Sequence, residues 1–260
     1  SLVRNGAGER IADRIQRLSG TGAERMAAAL FTAAMAVSAF INNVATTAMF
    51  IPVAESTGQI IELGQWVMEE VARHCNYWDS LGLDDFRVCV NISPLQFNQS
   101  NLPAWIKDFI KESGLAPDRL ELELTESAIM NDAETNIAKL AELKAIGLDL
   151  AVDDFGTGYS SLSYLKRFPI DTLKIDQSFV ADLDSQDGAA IVDAILALAK
   201  TLNLRVIAEG IEDIHQLSYL VAKNCDLLQG YYFARPIYPE DVPDMLRQNF
   251  AEEIQKATAD

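Results

Sequence analysis

From residue 60 onward the chain alternates between two hydrophobic rhythms. Short apolar runs with strand character occur at FRVCVNIS, RLELELTES, LDLAVDDFG, TLKIDQSF, LRVIAEGIE and CDLLQGYYF. Between them lie stretches with the 3.6-residue period of amphipathic helices: NLPAWIKDFIKESG, AETNIAKLAELKAIG, a helical turn at SSLSYLKRFP, DGAAIVDAILALAKTLN and IHQLSYLVAKN. A further helix is expected over LGQWVMEEVARHCNYWDSLG, ahead of the first strand. Strands that alternate with helices at this spacing predict βαβ units and a parallel sheet. Six such units without a dinucleotide glycine signature favour a TIM-like (β/α) barrel over a Rossmann sheet.

The N-terminal part follows a different rhythm. No charged residue occurs from Met26 to Ala54, 29 positions, and several arginines precede the stretch. That length could span a bilayer with a cytoplasmic flank. Its richness in Ala, Thr and Asn (Asn42, Asn43, Thr46, Thr47) equally suits an Ala-rich helix packed on a soluble core. The expected division is therefore an apolar helical segment over 1–49, an α/β domain over 50–250 and a solvated tail over 251–260.

Charge narrows the partners. The net charge is −17; residues 1–49 carry five arginines against three carboxylates, a balance of +2, so the remainder holds −19. Such a surface argues against DNA or RNA polymers. An anionic substrate would meet it most easily with divalent cations between. Cys75, Cys89 and Cys225 show no pairing pattern, which suggests reduced thiols in a cytoplasmic setting. His74 and His215 lie far apart in helical surroundings, so no zinc cluster is expected. With Ser1 first and no cationic n-region, no signal peptide is expected either.

Polar residues close nearly every strand: Asn91, Glu123, Asp153 with Asp154, Lys174 with Asp176, Glu209 and Gln229. In a barrel these ends converge on one mouth, where chemistry is placed. The oxygen-rich set, lacking His and Cys, suits Mg²⁺ or Mn²⁺ rather than Zn²⁺. Adjacent Asp153 and Asp154 repel unless a cation lies between them. Two metals about 3.5–4 Å apart could clamp the attacking water and leaving oxygen of a phosphodiester. Lys174 would orient that water or neutralise charge, or form a structural salt bridge with Asp176. Gly156 and Gly158 in FGTGYSSL permit a tight loop after the diaspartate.

VNIS, ELTES, DDFGTGYSSL, LKID, AEGIE and QGYYFARP, in this order and spacing, resemble the EAL domain of bacterial cyclic di-GMP phosphodiesterases. The resemblance covers about Phe50 to Phe250. It implies an EAL-type barrel that hydrolyses cyclic di-GMP to pGpG with Mg²⁺ or Mn²⁺. By motif, Asn91, Glu123 and Asp153 would be metal ligands and Asp154 would serve a second metal. Glu126 would steady the DDFGTG loop. Lys174 and Glu209 would act on the catalytic water, and Asp176 would support the lysine. Gln229, Glu212 and Pro236 would line the substrate pocket. A homodimer through the DDFGTG loop region is also implied.

One part departs from the pattern. The offset at which the family carries its Glu-Ala-Leu strand lands on Thr32, its arginine position falls on Ala36, and no acidic residue occurs between Glu24 and Glu55. The first metal ligand, a phosphate-binding arginine and the first two strands are thus expected to be missing. In their place, ERMAAALFTAAMAVSAFINNVATTAMFIPV resembles a segment of sodium-coupled divalent-anion permeases, and the two resemblances meet at FIPVA. The missing glutamate leaves two alternatives open: a non-catalytic cyclic di-GMP-binding module, or a non-functional chimera. A spanning 26–54 segment with its arginines inside would export the phosphodiesterase part, so a non-spanning arrangement is favoured over membrane contact.

Overall fold

The computed structural model describes residues 51–158 and 162–247. The chain forms two compact units, 1–63 and 64–260. Of the first, the described residues are helical over 51–57 and enter a long helix, α1 (Ile60–Ser80), at their end. Among the described residues no helix is long and apolar enough to cross a membrane. The permease-like segment up to residue 50, with Thr32 and Ala36, and the tail 251–260 fall outside the described residues, as does nearly all of 26–54.

All six expected strands form: β1 (Val88–Ile92), β2 (Leu120–Thr125), β3 (Asp149–Phe155), β4 (Thr172–Ile175), β5 (Arg205–Ala208) and β6 (Leu227–Leu228). Among the described residues they make one parallel sheet in sequence order, part of a TIM-like barrel, with β1 and β6 at its edges. The intervening helices are α2 (Pro94–Phe97), α3 (Leu102–Ser113), α4 (Glu126–Met130), α5 (Ala133–Ile146), α6 (Leu162–Leu165), α7 (Gln177–Ala181), α8 (Gln186–Leu202) and α9 (Ile214–Ala222), followed by α10 (Val242–Leu246). Local chemistry fixes the helix ends. Ser185 caps α8 by accepting from Gly188 N–H at 2.9 Å. Asp213 and Gln216 form a capping box on α9. Gly147 ends α5 in the left-handed region at φ 103°, where a side chain is disfavoured.

Strand β2 shows how the two faces of the sheet divide. Leu120, Leu122 and Leu124 alternate with Glu121 and Glu123, and all five are buried. The leucine face joins the apolar core with Leu140 and Leu143 of α5 and Val192, Ile195 and Ala199 of α8. The glutamate face meets ionic partners from β4 and β5, two and three strands away. On β2 neither face is left to water, so alternation there separates an oily side from an ionic one, while Cys89 and Asn91 on β1 stay exposed.

Strand β6 is shorter than CDLLQGYYF suggests. Its pairing continues as single hydrogen bonds, Gln229 N–H to Ala208 C=O at 2.9 Å and Ile211 N–H to Gln229 C=O at 3.1 Å, before the chain turns away. A side chain at Gly230 would place its Cβ 2.1 Å from Ile211 O and 2.2 Å from Ile211 N. Gly230→Ala is therefore expected to destabilise the fold by about 1–3 kcal/mol, as overpacking does. Urea denaturation at pH 7 checks this, and an unchanged midpoint would contradict the close approach.

Candidate active site at the carboxyl ends of the strands

The register of the sheet brings the polar strand ends together. Asn91 of β1 pairs with Glu123 of β2, and Thr125 of β2 pairs with Asp153 of β3. Between β3 and β4 the register shifts: Val152 faces Leu173, but Phe155 faces Ile175, so Asp153 and Asp154 share the place opposite Lys174. This is a β-bulge, and Asp154 takes a left-handed conformation at φ 53° within it. In a regular strand the two aspartates would point to opposite faces. The bulge re-aims the second one, and no feature of the DD dipeptide alone announces it.

Lys174 is 3% exposed and stands at the centre. Its Nζ lies 2.8 Å from Glu123 Oε2, 3.0 Å from Asp153 Oδ1 and 2.7 Å from Glu209 Oε1. Burial opposes the lysine charge, but Glu123, Glu209 and Asp153 outweigh it and hold the pKa above the ordinary lysine value. Burial pushes the Glu209 carboxyl up, against the pull of Lys174. Burial also raises Asp154, and the neighbouring charges of Asp153 and Asp176 raise it further.

The expected pairing of Lys174 with Asp176 is not made. Asp176 lies beyond the end of β4 as the N-cap of α7, where its Oδ1 accepts from Ser178 N–H at 3.0 Å and from the Ser178 hydroxyl. Its carboxylate turns to its own helix N-terminus and faces Asp154 instead. Glu126, 3% exposed at the start of α4, accepts from Gly156 N–H at 3.0 Å. A Cβ at Gly158 would come within 2.7 Å of Glu126 Oε1, so both glycines of the loop run against this carboxylate. Gln229 and Pro236 line a cleft of about 410 Å³ beyond β6, with Tyr231, Phe233 and Arg235. Glu212 is exposed ahead of α9, its N–H donating to Gln216 Oε1 at 2.8 Å. Glu212 thus stands at the rim, and Asn91 is exposed on the edge strand.

Sequence reading passed over the floor beneath these groups. Arg205 Nη2 contacts Glu121 Oε2 at 2.9 Å and Asp149 Oδ2 at 2.8 Å, and Arg87 reaches Asp149 at 3.0 Å. Thr172 donates to Glu121 at 3.1 Å and Lys144 joins Asp149 to Asp171. The signal was the two-residue spacing of Glu121 from Glu123, which places both on one face. Asn136 also went unnoticed. Buried on α5, it donates to Asn131 C=O at 2.7 Å and Ile129 C=O at 3.1 Å, which fixes the end of the helix that carries Glu126. Cys89 adds a thiol whose ligand atom lies within 4.8 Å of those of Glu121 and Glu123. Burial and the charges of Glu123 and Glu121 push that thiol up to about 12.

The family model described as EAL domain matches residues 33–236; its start falls within the uncharged 26–54 stretch. The bifunctional diguanylate cyclase/cyclic di-GMP phosphodiesterase MucR of Pseudomonas aeruginosa is 43% identical over 198 residues, which are 76% of this chain and 29% of that protein. The cyclic di-GMP phosphodiesterase NbdA of the same organism is 40% identical over 199 residues, 76% of this chain and 25% of its own length. Among solved structures, the PaMucR phosphodiesterase in complex with c-di-GMP superposes with a TM-score of 0.73 at 43% identity, covering 75% of this chain and 79% of that one. A manganese and cyclic di-GMP complex of Klebsiella pneumoniae BlrP1 gives 0.60 at 30% identity, over 67% of this chain and 45% of that one. The chain thus spans under a third of the length of these curated relatives.

The floor carries a pH dependence. Burial works against the Asp149 charge, but Lys144, Arg87 and Arg205 overcome it and hold the carboxyl below its ordinary value. A carboxyl lowered in the fold stabilises above its unfolded pKa of about 3.9, and that contribution fades as pH falls through the folded value. Asp149→Asn should therefore cost most at pH 7, with the gap to wild type narrowing toward pH 3. Urea denaturation across that range measures it; a gap that widens on acidification would contradict the pairing.

Proposed function

The chain belongs to the EAL domain family, and from that premise we propose that it hydrolyses cyclic di-GMP to linear pGpG with Mg²⁺ or Mn²⁺. The observation that carries the reading is the convergence of Glu123, Asp153 and Glu209 on Lys174 at one end of the sheet. These groups come from β2, β3, β4 and the residue that follows β5.

The donor chemistry fits a hard divalent cation. Asn91, Glu123, Asp153 and Asp154 would hold it through oxygen alone. Asp154 stands against Asp153 and Asp176 with its carboxyl raised, a crowding of like charge that a cation relieves. Bound there, the cation supplies Lewis-acid polarisation of the phosphodiester and a more acidic water.

The remaining steps belong to the protein. Glu209 accepts the proton of the attacking water, and Lys174 offsets the negative charge that grows on the phosphoryl oxygens. One P–O bond forms and one breaks, with the leaving ribose oxygen taking up a proton. Glu126 keeps the loop after β3 in place through Gly156 N–H. Asp176 steadies α7 and the Asp154 side of the site. Gln229 and Pro236, which line the cleft beyond β6, bind the nucleotide, with exposed Glu212 at the rim. A homodimer through the loop at 153–158 belongs to the same proposal.

A second reading, binding without turnover, is favoured by one observation: the absence of any acidic residue between Glu24 and Glu55, where the family carries its glutamate. Incubation with cyclic di-GMP and Mn²⁺, with pGpG detected by chromatography, separates the two. Product that disappears with EDTA supports hydrolysis; retention of cyclic di-GMP without product supports the binding module. Glu123→Gln is expected to lower turnover by at least about 100-fold, in the range of a lost catalytic group, while circular dichroism stays unchanged. Full activity in that variant would sink the assignment of Glu123.

A further inference from the structure

Two of the four proposed cation ligands already hold a cation of the protein's own. Lys174 Nζ engages Glu123 Oε2 at 2.8 Å and Asp153 Oδ1 at 3.0 Å. Its third contact, 2.7 Å, is to Glu209 Oε1, which is not among the proposed ligands. Asp154 and Asn91, the other two, have no ion pair with Lys174 among the described residues. An ammonium and a divalent ion touching the same carboxylates repel each other strongly, the more so where water is scarce. Lysine is suited to yield, because its charge is compact and its four-carbon stem is flexible.

We propose that Lys174 is a displaceable counter-ion of the cation site: the ammonium and a divalent cation compete for Glu123 and Asp153, and Glu209 keeps Lys174 within the site when it gives way. The inference rests on the cation reading above. Its consequence is twofold. Each of the three carboxylates keeps a cationic partner without a metal, so part of their mutual repulsion is already offset before one binds. Cation affinity is then set by the difference between two charge partners rather than by the carboxylates alone.

Titration calorimetry with Mn²⁺ on the full chain, and on Lys174→Met and Lys174→Gln, tests this directly. Both neutral variants should bind Mn²⁺ about tenfold or more tightly than wild type. Their melting temperatures should fall without Mn²⁺ and rise more than that of wild type when it is added. Equal or weaker binding by the neutral variants overturns the inference and leaves the cation reading standing. No Mn²⁺ binding by wild type or by either variant overturns both. A crystal structure of the wild-type chain with Mg²⁺ makes the same test without a variant. Lys174 should keep Glu209 and release Glu123 or Asp153; all three contacts retained beside the ion would overturn the competition.

Discussion

A buried ammonium on β4, within 3.0 Å of carboxylates on β2, on β3 and just past β5, answers an electrostatic problem set by the topology. Parallel strands feed their carboxyl ends to the same rim, so acidic residues placed there for chemistry also crowd one another. Burial adds to the difficulty, because a carboxylate stripped of water without a partner shifts its pKa rather than staying charged. Lys174 gives Glu123 and Asp153 a partner within 3.0 Å, inside a sheet whose opposite face is packed with leucine, valine and isoleucine. Everything proposed for the site depends on that balance.

The balance also depends on where the second aspartate points. The register shift between β3 and β4 puts two residues opposite one, and the left-handed backbone of Asp154 turns its carboxylate toward Asp153 and Asp176. The loop that follows is held by Glu126, itself on a short helix tied down by Asn136 from α5. A chain of ordinary hydrogen bonds thus runs from a surface helix to the diaspartate. Each link is modest, near 1 kcal/mol, yet together they decide the aim of one carboxylate.

Beneath the mouth lies a second ionic layer with a structural character. Glu121, Asp149, Arg87, Arg205 and Lys144 interlock around the starts of the strands, with Thr172 completing the coordination of Glu121. Burial raises the Glu121 carboxyl, and the two arginines and Thr172 draw it back toward the charged form. The two layers divide by strand position: residues at the beginnings close the floor, those at the ends face the rim. This division is the one expected of a barrel whose stability and chemistry occupy opposite ends.

The sequence by itself determined the order and kind of the elements. Apolar runs alternating with amphipathic helices specified a parallel sheet; all six strands, β6 shortened to two residues, and the five expected helices between them form, while the short helices α2, α4 and α7 come in addition. The polar residue at each strand end was equally legible, because strand ends in a parallel sheet share a rim whatever the loops do. What only the tertiary structure decided were the relations across strands. The preference of Lys174 for Glu123, Asp153 and Glu209 over Asp176 depends on register and on a helix cap that claims Asp176. The burial of Glu121 and Glu123 depends on their own face of the sheet being covered; in a sheet open on that side the same alternation would put both in water. Side-chain alternation is a local property of the backbone, but its partners come from strands tens of residues away, and pairing register alone brings them within reach.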